Sequence, residues 1–216
     1  MRQSWRANAQ AWIAAVRSNS IGSRRVATDE AIIHAVMALD PRRVLDLGCG
    51  EGWLCRALTG SGITAVGVDG SPELLAAARR MGGEFHLADY HELPRLRATL
   101  GKFPAIVCNY SLLEADLAAI LRMLTFFLDP GGSLLIQTLH PWRVGEDDYR
   151  DGWRVETYRD FEGRFAQPMP WYFRSLTSWV RLLGDAGFHI HSLSEPMEPK
   201  SGLPLSLLME CKLTTC

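Results

Sequence analysis

No stretch of this 216-residue chain is apolar for long enough to cross a bilayer; the apolar runs are strand-sized and interrupted, so no membrane partner is expected. A basic excess is missing too. The 23 lysines and arginines are offset by 24 acids, for a formal charge of -1. Proteins that hold a polyanion usually carry a basic stripe, so a nucleic-acid substrate is disfavoured. The five cysteines (Cys49, Cys55, Cys108, Cys211 and Cys216) lack the pairwise spacing of a metal centre, and no metal is expected. Two of them fall in strand-like runs as small hydrophobes, and reduced thiols suit a cytoplasmic protein. Repeats and low-complexity segments are absent.

Acids are also absent from residues 1–28, which are rich in arginine and serine and superficially resemble a transit peptide. Helical periodicity explains the segment better. Trp5, Ala9, Trp12, Ile13 and Val16 share one face, while Asn8, Gln10 and Arg17 fall elsewhere. Residues 1–27 therefore read as a helical cap on a single domain spanning residues 1–216.

What is present is a globular composition, 47% hydrophobic and 22% charged, with strand-sized and helix-sized runs in alternation. Strands are expected at 44–47, 65–69, 85–88, 105–108 and 134–139, with a final pair at 188–193 and 205–213. Helices are expected from about Thr28 to Asp40, around Trp53–Leu58, after Ser71-Pro72, over Asp116–Leu128, and over Ser175–Ala186 with Gly187 as its stop. This pattern predicts an α/β fold, a doubly wound and mostly parallel Rossmann-like sheet. It would have seven strands, an antiparallel C-terminal pair and helices on both faces. Ligands in such sheets bind at the carboxyl ends of the strands, where the strand order reverses.

The strongest signal lies at the first strand end, Val44-Leu45-Asp46-Leu47-Gly48-Cys49-Gly50-Glu51-Gly52. Alternating glycines between a strand and a helix allow a tight turn and close approach of a ligand to the backbone. The dinucleotide fingerprint would need its third glycine at residue 53, which is Trp53, and a Walker lysine is missing. Asp69 closes the second strand before Gly70 and Ser71, where an acid can accept from both hydroxyls of a ribose. Asp89 and Tyr90 follow the third strand, and Asn109 and Tyr110 the fourth.

These segments resemble motif I and the succeeding motifs of class I S-adenosylmethionine-dependent methyltransferases, over about residues 26–140 and more loosely beyond. The resemblance implies S-adenosylmethionine as cofactor, held by Asp46, Gly48, Cys49, Gly50, Asp69, Gly70, Ser71, Asp89, Tyr90 and Asn109. Asp89 would face the adenine amino group, with the Tyr90 N–H beside it; Asn109 would lie under the methionine part. The Asn/Asp-Pro-Pro-Tyr signature of amino-group methylation is missing at Asn109-Tyr110-Ser111-Leu112. Phe173-Arg174-Ser175-Leu176 before Ala186-Gly187-Phe188 resembles the small-molecule branch.

Residues 143–174 break the rhythm, polar but dense in aromatics, and read as a lid over an apolar or aromatic small-molecule acceptor. His140, at the fifth strand end, and Tyr110 are the candidate catalytic residues, as acceptor contacts or a general base. Three alternatives remain open: a tRNA or protein methyltransferase, a nicotinamide-dependent oxidoreductase, and a cofactor-binding regulator.

Overall fold

A computed structural model describes residues 1–144, 149–158, 161 and 165–214. Two short helices, α1 (Arg2–Ala7) and α2 (Ala9–Arg17), precede a single π turn at Arg24–Thr28 that runs into α3 (Asp29–Ala38). The expected helix thus starts earlier than Thr28, and its wider turn carries Arg24 to the central cavity.

Seven strands form one sheet: β1 (Arg43–Leu47), β2 (Thr64–Asp69), β3 (Glu84–Leu87), β4 (Phe103–Asn109), β5 (Leu128–Leu139), β8 (Phe188–Ser194) and β9 (Ser206–Leu213). Their order is β3-β2-β1-β4-β5-β9-β8. The pairs from β3 through β5 are parallel, and β9 is antiparallel to both neighbours. The order reverses between β1 and β4, as the sequence pattern predicts.

Alternating side chains give the sheet two apolar faces. Leu45, Leu47, Val66 and Val68 pack with Leu121 and Leu124 of α7 (Ala118–Leu124) and Trp179 and Leu183 of α8 (Leu176–Asp185). Val44, Ala65 and Val107 face Ile32 and Val36 of α3, Leu54 and Leu58 of α4 (Trp53–Gly60), and Leu75 and Ala78 of α5 (Pro72–Arg79). Local chemistry fixes the helix ends. Ser71 Oγ accepts the Leu74 N–H with Pro72 at the first helical position, and Gly187 follows α8 at φ 88°.

Two elements differ from expectation. The helix expected over Asp116–Leu128 is only α7, because Leu128 already pairs with Phe103 and Asp129-Pro130-Gly131-Gly132 lies within β5. The segment without clear period contains a separate antiparallel pair, β6 (Gly152–Glu156) and β7 (Met169–Phe173). Aromatics occupy both strands, and Trp153 packs edge-on against Tyr172, so the usual alternation is hidden. Residues 145–148, 159–160 and 162–164 of the expected lid lie outside the described residues. No described helix is long and apolar enough to cross a membrane.

Candidate active site

The carboxyl ends of β1, β2, β3 and β4 open into a cavity of about 1110 Å³. That exceeds the roughly 300–1,000 Å³ usual for one small ligand and leaves room for two side by side. One wall is the loop after β1. Gly48, Gly50 and Gly52 all have positive φ, and Gly48 N and Cys49 N both bond Val68 O, so the loop is folded back on β2. Gly48, Cys49 and Gly50 reach the cavity.

Asp69 is locked from two sides. Its Oδ2 accepts the Gly50 N–H at 2.8 Å and its Oδ1 accepts the Ser71 N–H at 2.7 Å. Burial pushes its pKa up, and the two N–H groups act against that. Each oxygen retains a lone pair for a ligand hydroxyl. Asp89 stands next along the wall. It caps the turn Tyr90–Leu96 in a reciprocal box with Glu92 and also pairs with Arg2 at 2.9 Å. Gly70 packs against it, and an added Cβ would lie 2.6 Å from Asp89 Oδ1, so the carboxylate would have to shift.

A chain of side-chain bonds ties the strand ends together. Tyr90 OH donates to Ser111 O at 2.7 Å, and Ser111 Oγ donates to Leu47 O at 2.6 Å. Asn109 lines the cavity with its Oδ1 buried and without a hydrogen-bond partner. That oxygen is shielded from the cavity itself, so a ligand would reach it only if the side chain turned. Behind the loop, Glu51 is held by Arg17 Nε at 2.8 Å and by Arg56 Nη2.

Another part of the lining is aromatic. Trp5 and Trp12 from the N-terminal helices meet Tyr158, Phe161 and Trp171 from the segment around β6 and β7. Tyr110 also lines the cavity, at φ 52°, a left-handed conformation rare outside glycine. Burial pushes the Tyr110 phenol up, with Ser206, Thr28 and Gln137 acting against it.

Two expected site residues stand outside the lining of the main cavity. Asp46 does not line the cavity: it is 2% exposed on the helix-facing side of β1, where Cys55 Sγ donates to its Oδ2 at 3.4 Å. Burial pushes its pKa to about 7. His140 lines a neighbouring cavity of about 490 Å³, which Tyr110 also borders. Its Nδ1 accepts the Trp142 N–H at 3.1 Å and its Nε2 lies 2.7 Å from Glu195 Oε1. Both ring nitrogens thus have a hydrogen-bond partner. Gly48, Cys49, Gly50, Asp69, Gly70, Ser71, Asp89, Tyr90, Asn109 and Tyr110 all border the main cavity.

Sequence reasoning missed several wall residues. Arg24 stacks over Trp53 at 4.3 Å while its Nε pairs with Asp29 at 2.8 Å. Ser111 carried a usable signal, its place just past β4; Arg2 carried none, being 87 positions from Asp89.

A sheet of this order, with a glycine loop after β1 and acids closing β2 and β3, is the class I methyltransferase fold. The chain belongs to the methyltransferase domain family, whose model matches residues 24–193. It is 36% identical over 113 residues to a ubiquinone biosynthesis O-methyltransferase of Xanthomonas campestris, which is 50% of this chain and 47% of that protein. The chain thus matches about half the length of such curated relatives. An S-adenosylmethionine dependent methyltransferase from Mesorhizobium loti shares the fold, with a TM-score of 0.62 at 24% identity over 82% of this chain and 95% of that one. So does the protein of the DhpI-SAM-HEP complex, with a TM-score of 0.66 at 21% identity over 96% and 94%.

Proposed function

We propose that this protein transfers a methyl group from S-adenosylmethionine to an oxygen, nitrogen or carbon of an apolar or aromatic small molecule. The observation that carries this reading is a cavity with two kinds of lining: Asp69, Asp89 and Asn109 at successive strand ends, and a cluster of aromatic rings. The polar set matches the cofactor's parts. Asp69 with Gly70 and Ser71 would hold the ribose, Asp89 and Tyr90 the adenine, and Gly48, Cys49, Gly50 and Asn109 the methionine end.

Bound there, S-adenosylmethionine supplies a methyl group on a sulfonium, already an excellent leaving group. The protein's share is then placement. Orientation alone is worth about 7–11 kcal/mol of barrier, whereas a positioned base adds about 10²–10⁴-fold. Tyr110 borders both cavities and would orient the acceptor. His140, with both nitrogens engaged, would shape the side chamber. Residues 1–27 act as a cap and residues 143–174 as the acceptor lid on one domain. The enclosed aromatic wall favours a small molecule over nucleic acid or protein. The buried free thiols Cys49, Cys55, Cys108 and Cys211 suit the cytoplasm.

Calorimetry with S-adenosylhomocysteine tests the reading. One site is expected in the wild type, and Asp69→Ala should weaken it by about 1.5–3 kcal/mol, the worth of hydrogen bonds to a charged group. NADH should not bind. Absence of S-adenosylhomocysteine binding to the wild type would overturn the reading.

A further inference from the structure

Asn8, at the junction of α1 and α2, is only 1% exposed although it belongs to the polar side of the helical pattern. Its amide is spent on a distant segment. Oδ1 accepts the Ala166 N–H at 2.8 Å and the Gln167 N–H at 3.1 Å, and Nδ2 donates to Gln167 O at 2.6 Å and Ser4 Oγ at 3.1 Å. Packing alone would be served by alanine; an amide buried here costs free energy unless every bond is made. Asn8 does not itself line the cavity.

We propose that Asn8 is a positioning residue for the acceptor, joining the roof of the acceptor chamber to the adenine end of the cofactor site. This rests on the cofactor reading above. Gln167 lies two residues before β7, whose Met169 and Trp171 line the cavity. One helical turn past Asn8, Trp12 packs edge-on against Tyr158 at 5.8 Å and Phe165 at 5.1 Å. At the other end of α1, Arg2 pairs with Asp89 at 2.9 Å and reaches His91 Nδ1 at 3.2 Å. The helix that joins the two ends is six residues long, a strut of about 9 Å. Arg17 moors α2 to the cofactor loop through Glu51 and to α5 through Ala77 O at 3.1 Å. A ligand group settling on Asp89 fixes Arg2, and Asn8 passes that constraint to residues 166 and 167. The acceptor chamber is therefore completed once the cofactor is in place, which sets a cofactor-first binding order.

The test is amide hydrogen exchange on the full chain with and without saturating S-adenosylhomocysteine. In the wild type, binding should slow exchange at Ala166 and Gln167 by about tenfold or more, although neither lines the cavity. Asn8→Ala should bind S-adenosylhomocysteine within about threefold of wild type, raise basal exchange at both amides by about tenfold, and abolish the ligand effect. Arg2→Ala should keep the basal protection and lose only the ligand effect. A merely structural Asn8 predicts that the ligand effect survives in Arg2→Ala, the variant that leaves both amides bonded to Asn8. That result, or wild-type amides indifferent to bound S-adenosylhomocysteine, overturns the proposal. The wild-type and Arg2→Ala measurements decide the matter even if Asn8→Ala does not fold. Failure of the wild type to bind S-adenosylhomocysteine would instead overturn the cofactor reading and remove this inference with it.

Discussion

Ser111 lies directly under Gly48: a Cβ added to the glycine would sit 2.3 Å from the serine Cβ. The serine cannot retreat, because its hydroxyl holds Leu47 O and its carbonyl receives the Tyr90 hydroxyl. Gly50 differs. An added Cβ there meets nothing within 4 Å, and only its φ of 56° disfavours a side chain. Gly48→Ala should therefore cost about 2–4 kcal/mol in urea denaturation, combining overpacking with left-handed strain. Ser111→Gly in that background should return part of the loss. Gly50→Ala should cost about 1 kcal/mol and stay folded, yet weaken S-adenosylhomocysteine binding by tenfold or so, since its methyl projects from the cavity wall. Normal binding by folded Gly50→Ala would show that the loop does not approach the ligand.

Asp46 makes the stability depend on pH in an unusual direction. Burial lifts its carboxyl to about 7, and the nearby Asp69 charge adds to the effect. A folded-state pKa above the unfolded one means that the native state holds the proton more tightly. The stabilisation is then complete below the ordinary carboxylate range and is lost as pH rises towards 7. This group should remove about 1 kcal/mol of stability per pH unit between roughly pH 4 and 7. Asp46→Asn should abolish that slope, so its stability relative to wild type should rise from about pH 5 to pH 8 in urea melts. A difference that stays constant with pH would show an ordinary titration at Asp46.

What the sequence made legible was decided by neighbours in the chain. The apolar run Val44–Leu47 can only be a covered strand, Ser71-Pro72 a helix start, and Gly187 a helix stop, because each feature acts within a few residues. Strand-end position singled out Gly50 and Asp69 as candidates, and the family resemblance added Asp89 and Asn109, without any knowledge of their partners. The illegible parts depend on residues far away. Asn8 looks solvated until the backbone of residues 166 and 167 consumes its amide. His140 looks available until Glu195 and the Trp142 N–H occupy its ring. Asp46 looks like a ligand contact until the pleat of β1 turns it towards Cys55.

For His140 the expected outcome is a single tautomer. With Nδ1 accepting from Trp142, the proton must sit on Nε2 and point at Glu195. Nitrogen NMR of the ring should show the Nε2–H form, and Glu195→Gln should preserve it. His140→Ala should cost less than about 1 kcal/mol of stability, because water can replace the ring at the exposed Trp142 N–H. It should leave S-adenosylhomocysteine affinity within about threefold, since a change under RT ln 3 is all that an uninvolved residue allows. An Nδ1–H ring would restore His140 as a candidate base.

Arg174 offers the sharpest distinction between charge and geometry. It is 5% exposed, with its guanidinium 4.9 Å from the Tyr172 ring and 5.4 Å from the Trp179 ring. Its Nη2 donates to both Glu114 O and Ala115 O at 2.6 Å. Those carbonyls belong to the loop that follows Tyr110, and Tyr172 N pins the same loop through Leu113 O at 2.8 Å. The insertion thus holds the cavity wall by its backbone, through one planar cation and one strand N–H. Hydrogen bonds from a charged donor are worth about 1.5–3 kcal/mol, so Arg174→Met should lose about that much in urea denaturation. Arg174→Lys keeps the charge but replaces the flat guanidinium by a compact, strongly hydrated ammonium that stacks poorly between two rings. It should recover less than half of the loss. Amide exchange at Leu113 should rise in both variants, while exchange in β1 and β2 stays at the wild-type rate. Full recovery by Arg174→Lys would mean that charge alone holds the loop, and wild-type stability in Arg174→Met would mean that the two carbonyls need no donor.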